Sequence, residues 1–499
     1  DEPGLIISFE EFPKQIYEEA MGHGIDLAEL ERSGKLRVIW TPPQRVLESF
    51  SGRNDLIDGI VRELGVRRLL IDSITHFKRV AHEETELREM LAGILNYLKI
   101  HDVNSILVKE LETQDETNIA FEEYLVDASM RVHNTSSSIG GENVRLVEVR
   151  KTRGQGHISG KHPFVLGGDG LVVYPRLRPS DVRFGLRSSS DAARPRVSVG
   201  VSALDAMLDG GLWEGSVNVI SGFRGTGKSV LSSQFVDAAL QRGQNCLIAS
   251  FHDAPEDLIG SASTLGMDWS GAYADGRLRV RRFDWVGLTP EIFTNQLFAE
   301  FEEGAPDVFV LDSVSDVELL PRTTQRASDD VMVLQEMLRS VGATSLLVQR
   351  TKRVEQEASA VDEEIGQLAD AIVQFTMAES EGTLQRFVSV NKHRGSDHTK
   401  EIREIHIDAT GLHVSGERTR HSGVFTGNTR RGFDDPVGEV VPRLEAVLAA
   451  FREVLEAGAL AESEQSRLVE ARAELSIVDA VLREHFGVTA FHELVERKK

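Results

Sequence analysis

A glycine-rich stretch in the middle of the chain constrains the fold more than any other feature. Residues 222–229 read Gly-Phe-Arg-Gly-Thr-Gly-Lys-Ser and match the pattern G-x-x-x-x-G-K-[ST] in full. In this pattern the glycines let successive N–H groups surround a phosphate, the lysine neutralises the β- and γ-phosphates, and the hydroxyl ligates magnesium. Eight residues are therefore predicted to bind nucleotide: Gly222, Phe223, Arg224, Gly225, Thr226, Gly227, Lys228 and Ser229.

The sequence on both sides of this loop fits a strand before it and a helix after it. Residues 216–220 are rich in β-formers, and the apolar residues within 229–241 recur at the spacing of a buried helix face. Further along, the apolar run 308–311 ends in Asp312. A carboxylate at the carboxyl edge of a parallel sheet is what magnesium needs beside such a loop. We therefore predict Ser229 and Asp312 as magnesium ligands, with ATP and Mg²⁺ as cofactors.

The chain also repeats itself, which is the strongest evidence for its architecture. The matched segments differ in composition, so a chance alignment is a poor explanation. Five pairs align at offsets of 240 to 242 residues: 5–9 with 247–251, 24–26 with 266–268, 34–38 with 276–280, 70–73 with 310–313, and 151–154 with 392–395.

The repeat has two consequences for the first half of the chain. Asp72 matches Asp312 and is the predicted metal ligand of that half. The offset places the first repeat's own phosphate loop before residue 1, so we expect the sequence to lack the first strand, loop and helix of domain one. A naturally degenerate first repeat is the alternative, but its remaining motifs are intact and favour a missing segment.

These features predict an α/β protein with two tandem RecA-like P-loop domains, each with a central and mostly parallel sheet. We expect domain one over 1–175, a linker over 176–195 and domain two over 196–420. Proline residues and a run of three serines mark the linker. In the remaining segment, 421–499, apolar residues at helical spacing predict a helical hairpin or a short coiled coil.

Composition narrows the class of partner. A net charge of −23 opposes non-specific attraction to nucleic acid and to anionic lipid. No apolar run approaches the roughly 20 residues that span a bilayer, so we expect no membrane partner. The single cysteine, Cys246, rules out an intramolecular disulfide. We therefore expect a cytoplasmic protein.

The motifs together resemble one known family. The stretches 200–205 and 210–212, the phosphate loop and the two Lys-x-Arg-Gly elements are similar to those of the KaiC family of RecA-like ATPases, over residues 1–420. The resemblance implies six double-domain subunits stacked into two rings, with ATP at subunit interfaces. It also implies an unidentified regulatory or signalling protein as partner. By the same resemblance, four residues would reach the γ-phosphate of the adjacent subunit: Lys151, Arg153, Lys392 and Arg394.

The resemblance further implies two adjacent glutamates after the second strand that activate the attacking water. The first repeat has Glu10 and Glu11 at these positions, whereas the second has His252 and Asp253. Aspartate is one methylene shorter than glutamate and histidine is a different base, so the second pair holds water less well. We therefore expect the first half to hydrolyse ATP and the second half mainly to bind it.

Two other functions are alternatives to a simple ATPase. A Ser/Thr autokinase of the circadian-clock type would need adjacent hydroxyl residues in the second domain, but the matching stretch 365–370 has none. A DNA-dependent RecA-like motor would need basic or aromatic loops facing a pore. The candidate loop 317–322 is mixed in charge. The sequence therefore favours a ring-forming ATPase that acts as a regulatory or signalling switch.

Overall fold

The chain divides into two compact units, each with its own sheet. A computed structural model describes residues 2–50, 56–111, 121–136, 143–168, 170–182, 194–321, 327–351, 366, 369–380, 383–418, 421–422 and 430–431. The first unit comprises Asp1–Ser188, Arg282–Pro306 and Ser315–Val341, and the second comprises Ser189–Arg281, Asp307–Val314 and Gly342–Lys499. The helical periodicity predicted for the tail falls on residues 444–486, outside the described residues.

Strands and helices alternate along the part of each repeat that carries the parallel sheet. The helices are α1 Pro13–Gly22, α2 Leu27–Arg32, α3 Pro43–Phe50, α4 Leu56–Leu64, α5 Glu84–Ile100, α6 Phe121–Leu125, α7 Ser202–Met207, α8 Lys228–Gln241, α9 Pro255–Thr264, α10 Ser270–Ala274, α11 Pro290–Glu303, α12 Val314–Glu318 and α13 Ala327–Val341, with a 3₁₀ helix at Ile74–Arg79. The strands are β1 Gly4–Ser8, β2 Leu36–Trp40, β3 Arg68–Asp72, β4 Asn104–Leu107, β5 Ala128–Ser136, β6 Asn143–Thr152, β7 Lys161–Gly167, β8 Gly170–Val173, β9 Arg196–Val197, β10 Leu212–Trp213, β11 Val217–Gly222, β12 Cys246–Ser250, β13 Leu278–Arg282, β14 Val308–Asp312, β15 Thr344–Arg350, β16 Ala371–Ser380, β17 Thr383–His393, β18 Arg403–Asp408, β19 Gly411–Arg418, β20 His421–Ser422 and β21 Arg430–Arg431.

The first unit contains two four-stranded sheets. In the order β2-β1-β3-β4 the strands are parallel, and in the order β5-β6-β7-β8 they are antiparallel. Helix α5 packs on the core with one apolar face, because Leu87, Leu91, Ile94 and Leu98 recur every three or four residues and are all buried. The later segments join this unit through hydrogen bonds such as Asn295 Nδ2 to the carbonyl of Pro175 at 2.7 Å.

The second unit is built on one nine-stranded sheet in the order β13-β12-β14-β15-β11-β16-β17-β18-β19. From β12 to β16 neighbouring strands are parallel, and from β16 to β19 they are antiparallel. Strands β12 and β14 each lie between two other strands and are almost wholly buried. This burial on both faces explains why they read as unbroken apolar runs.

The two units share one strand order. The series β2-β1-β3-β4 in the first unit corresponds to β13-β12-β14-β15 in the second, at the offsets of the sequence repeat. In the second unit β11 lies between β15 and β16 and joins the parallel to the antiparallel strands. Among the described residues of the first unit no strand occupies that place. The α/β class and the tandem arrangement are confirmed, while the domain boundaries at 175, 195 and 420 stay a prediction.

The described helices share one further property. None of them is long and apolar enough to cross a lipid bilayer.

Candidate functional site

The phosphate loop lies where the sequence pattern predicts, between a strand and a helix. Strand β11 ends at Gly222, and α8 begins at Lys228. Gly225 and Gly227 have φ values of 78° and 101°, in the left-handed region that favours glycine. A β-carbon on Gly227 would also lie 2.6 Å from Cδ1 of Ile407. The loop therefore requires glycine for both its backbone turn and its close packing.

Lys228 lies inside this loop and is only 7% exposed. Its Nζ donates hydrogen bonds to the carbonyl oxygens of Gly222 at 2.8 Å and Phe223 at 2.6 Å. Burial lowers the pKa of Lys228 to about 8, although the Asp312 carboxylate acts in the opposite direction. A buried ammonium held by loop carbonyls is well placed to exchange these partners for phosphate oxygens, which bind it more strongly.

The predicted magnesium ligands lie next to each other. The Ser229 hydroxyl donates to Oδ2 of Asp312 over 3.2 Å, although the two residues are far apart in sequence. A cavity of about 130 Å³ is lined by both residues and by Ser250 and Asp253. A hydroxyl and a carboxylate facing one small cavity are the oxygen ligands that Mg²⁺ prefers, so this pair fits the ion.

The turn after the second strand of each repeat has the same backbone design. In the second unit the N–H groups of His252 and Asp253 donate to the Ser250 hydroxyl at 3.2 and 3.0 Å. In the first unit the N–H of Glu11 donates to the Ser8 hydroxyl at 3.0 Å. The two predicted pairs therefore occupy equivalent places beside their strand-end aspartates.

The side chains after β12 meet an arginine that the sequence motifs did not indicate. Nη2 of Arg350 lies 3.0 Å from Nε2 of His252, and the same guanidinium donates to the Ser313 hydroxyl at 3.0 and 3.2 Å. Because arginine can only donate, Nε2 of His252 must accept. That lone pair is the one that a general base needs, so the contact opposes a basic role for His252. The only sequence signal was positional, since residue 350 matches Glu110 at an offset of 240.

A second arginine that sequence reasoning missed supports the phosphate loop itself. Nε of Arg386, in β17, donates to the carbonyl of Gly225 at 3.0 Å. The contact fixes the loop from the antiparallel side of the sheet and adds positive charge near it. Arg386 lies in no recognisable sequence motif. Its contact with the phosphate loop becomes visible only in the structure, where β17 pairs with β16.

Carboxylates converge at the matching place in the first unit. The pKa of Asp72 is raised by burial and then by the negative charges of Glu10 and Glu110. The pKa of Glu11 is raised by burial and then by Glu19, Asp72 and Glu10. Where the second unit has a histidine and an arginine, the first therefore concentrates negative charge.

In the second unit the Lys-x-Arg-Gly element is anchored to nearby backbone. Nζ of Lys392 donates to the carbonyl of Gly366 at 2.9 Å. The N–H of Arg394 donates to the carbonyl of Asp370 at 2.8 Å, and its guanidinium lies 3.9 Å from the Asp370 carboxylate. Both basic residues therefore have partners within their own unit.

The first unit repeats this anchoring. Nζ of Lys151 donates to the carbonyl oxygens of Glu123 at 2.6 Å and Val126 at 2.8 Å. The guanidinium of Arg153 lies 3.2 Å from the Asp127 carboxylate. The recurrence of these contacts extends the internal repeat from the sequence to the side-chain level.

The Lys-x-Arg-Gly element of the second unit lies away from the phosphate loop, towards the start of β16. In the parallel pair of β11 and β16, Gly222 lies opposite Phe375. Lys392 lies opposite Ile372, three residues nearer the start of β16, and Arg394 follows beyond it. Three residues of strand span about 10 Å. Lys392 and Arg394 therefore lie at least about 10 Å along the strands from the phosphate loop of their own unit.

A buried histidine within the second Lys-x-Arg-Gly element holds the turn together. His393 is 5% exposed, and its Nε2 lies 3.1 Å from Nη1 of Arg196. The Arg196 guanidinium in turn stacks 3.5 Å from the ring of Trp213. Burial, followed by the charge of Arg196, lowers the pKa of His393 to about 4. The ring is therefore neutral at pH 7 and acts as a packed structural group.

A phosphate loop between strand and helix, with its hydroxyl facing an acidic strand end, defines a P-loop ATPase of the RecA-like class. The protein-family model described as "ATPase: KaiC" matches residues 1–178 and 197–419. The chain therefore belongs to the KaiC ATPase family.

Individual relatives agree over most of the chain. The circadian clock protein KaiC3 of Synechocystis sp. is 27% identical over 439 residues, which cover 85% of this chain and 84% of that protein. The circadian clock oscillator protein KaiC of Acaryochloris marina is 26% identical, covering 86% of this chain and 82% of its own length. The protein of the same name from Prochlorococcus marinus is 27% identical, covering 86% of each.

Proposed function

We propose that this ATPase forms a ring, binds ATP and Mg²⁺ at its subunit interfaces and acts as a regulatory switch. The observation that carries the proposal is the position of the second Lys-x-Arg-Gly element. Lys392 lies about 10 Å along the strands from its own phosphate loop, and Arg394 lies beyond it. Basic residues at this distance from their own loop would complete a nucleotide site on a neighbouring copy.

Nucleotide then stabilises the ring because its phosphates join two subunits. One subunit supplies Lys228, Ser229 and Asp312, and the next supplies Lys392 and Arg394. A charge-assisted contact to phosphate is stronger than a neutral one, so each bound ATP adds stability at the interface. Hydrolysis removes the γ-phosphate and weakens that link, which is how the nucleotide state would be read by a regulatory or signalling partner in the cytoplasm.

The two repeats divide the work in this proposal. Glu10 and Glu11 are the two carboxyl groups at this turn of the first half and are placed to orient a water, with Oε1 of Glu10 2.9 Å from Nε2 of His76. His252 accepts a hydrogen bond from Arg350, so the second half has only Asp253 as a carboxylate at this turn. We propose that the first half hydrolyses ATP and that the second half binds it and braces the ring.

The test is the mass of the full-length protein by light scattering, with and without ATP and Mg²⁺. We expect a monomer or small species without nucleotide and a hexamer with it. Lys228→Ala should weaken the ATP-dependent assembly, whereas Lys400→Ala, at an exposed lysine of the same unit, should not. A monomer that ignores ATP would contradict the ring.

Mass spectrometry after incubation with ATP separates this proposal from an autokinase. We expect ADP to accumulate without stoichiometric phosphoserine or phosphothreonine. A full phosphate per chain would instead assign kinase activity and replace the simple ATPase.

A further inference from the structure

Three side chains from separate segments of the first unit converge on one point. Glu10 follows β1, His76 lies in the 3₁₀ helix Ile74–Arg79, and Glu110 follows β4. One possible ligand atom from each lies within 4.8 Å of the other two. We propose that these three residues bind a divalent transition-metal ion such as Zn²⁺, separate from the magnesium that accompanies nucleotide.

The buried histidine is the main reason to regard this cluster as a metal site. His76 is 5% exposed, and its ring packs edge-on against Phe9 with centroids 5.8 Å apart. Its Nε2 lies 2.9 Å from Oε1 of Glu10 but makes no hydrogen bond to any described residue. A buried imidazole nitrogen aimed at carboxylates without a hydrogen bond is an available metal ligand.

The second carboxylate is held in place from both sides. Oε1 of Glu110 accepts from the Ser73 hydroxyl at 3.3 Å, and the N–H of Glu110 donates to the Thr75 hydroxyl at 3.0 Å. Both glutamates are exposed, but Glu10, whose side chain is 59% exposed, follows β1 and contacts His76 alone within this cluster. His76 and Glu110 therefore form a prepared pair, and Glu10 can close on a bound ion.

The chemistry of this ligand set selects the ion. Two carboxylates and one imidazole suit Zn²⁺ and its transition-metal neighbours, whereas Mg²⁺ and Ca²⁺ favour oxygen ligands. Three protein ligands leave a coordination position for water, as in open zinc sites. The surrounding carboxylates also make the position favourable for a cation.

The second unit supplies an internal comparison. At the positions that match Glu10 and Glu110 it has His252 and Arg350, whose nitrogen atoms are 3.0 Å apart. A fixed guanidinium charge thus occupies the place that the first unit leaves to carboxylates. A metal ion would be repelled there, so the proposed site belongs to the first repeat alone.

A bound metal would also act on hydrolysis. This consequence, unlike the site itself, depends on the proposed role of Glu10 as a base. With its carboxylate on the metal, Glu10 could not orient water, so we expect micromolar Zn²⁺ to slow turnover in the presence of excess Mg²⁺.

The binding test uses the full-length protein without nucleotide or Mg²⁺. Zn²⁺ is titrated by calorimetry, and Co²⁺ is added as a visible-absorption probe of nitrogen ligation. We expect His76→Gln and Glu110→Gln each to weaken Zn²⁺ binding at this site by at least about tenfold. His76→Gln should also change the Co²⁺ spectrum, while His23→Gln, at an exposed histidine of the same unit, should change neither.

The urea unfolding curve of each variant, compared with that of wild type, serves as the folding control. Zn²⁺ affinity and Co²⁺ spectra that are the same in wild type and in the His76 and Glu110 variants would overturn the metal site. That result would leave the proposed ATPase untouched, because no nucleotide is present in the measurement.

Discussion

The turns after β1 and β12 share a backbone design but differ in their charged side chains. Both turns are tied to the strand-end serine by an N–H···Oγ hydrogen bond of 3.0 Å, from Glu11 to Ser8 and from Asp253 to Ser250. Around the first turn the carboxylates of Glu10, Asp72 and Glu110 lie close to His76, whereas beside the second turn Arg350 donates to His252. The comparison shows that a few side chains can change the chemistry of a turn while its backbone stays the same.

The comparison also indicates what each half is suited to do. A general base must hold a lone pair available for the proton of water. The carboxylates of the first unit provide this, and burial, followed by the negative charges of neighbouring carboxylates, raises the pKa of Asp72 and Glu11. In the second unit the residues predicted to bind nucleotide lie together, since Ser229 donates to Asp312 and the Asp312 carboxylate acts on the pKa of Lys228.

The largest expected contrast lies in the two basic elements. Arg153→Ala should lower ATP turnover by about 10³-fold if it stabilises the transferring phosphate from a neighbour, as arginine fingers do. Arg394→Ala should leave turnover roughly unchanged and weaken ring assembly instead. Turnover is measured by phosphate release, with Arg88→Ala, at an exposed arginine on α5, as the control.

Mixed rings show whether Arg153 acts across the interface. Subunits with Arg153→Ala are combined with subunits that carry Glu10→Gln and Glu11→Gln. Some interfaces then pair an intact base with an intact arginine, so we expect activity to recover on mixing. Two inactive populations that stay inactive when mixed would mean that Arg153 acts within its own subunit.

A smaller effect is expected on binding in the second unit. Lys228→Ala removes the ammonium that faces the phosphates and should weaken ATP binding there by roughly 100-fold, equivalent to about 3 kcal/mol. Titration with a fluorescent ATP analogue measures the affinity. An unchanged affinity would show that this loop is not the nucleotide site.

The phosphate loop, the aspartate strand and the repeat could all be predicted from sequence, because each is a local pattern with a fixed period or spacing. The pairing of Arg350 with His252 could not. It joins residues 98 positions apart in sequence, at the ends of β12 and β15, which lie on either side of β14 in the sheet. His76 could not be predicted from the sequence either. A single histidine after a strand that ends in aspartate is usually an ordinary packed residue, so nothing in the pattern marked it as a ligand. Such contacts depend on strand order, which no local motif encodes.

The smallest expected difference between the two repeats is the dependence of their stability on acidic pH. Because the folded-state pKa of His393 is lowered to about 4, the unfolded chain binds more protons between that value and the usual 6.5. Stability should therefore fall as the pH is lowered from about 6.5 towards 4. The matching residue of the first repeat is Thr152, which does not titrate.

Urea unfolding at pH 7 and pH 5, followed by tryptophan fluorescence, measures this effect. His393→Gln should reduce the difference between the two midpoints. If wild type and variant lose the same amount of stability between pH 7 and pH 5, His393 is not the cause of the acid sensitivity.

The most direct test of the division of labour compares the two pairs after β1 and β12 in the full-length protein. Steady-state ATP turnover is measured for Glu10→Gln with Glu11→Gln, and for His252→Gln with Asp253→Asn. We predict that the first double variant loses about 10²- to 10⁴-fold in turnover, the usual contribution of a general base, while the second stays close to wild type. A large loss in the second variant with the first unaffected would contradict the assignment of hydrolysis to the first half.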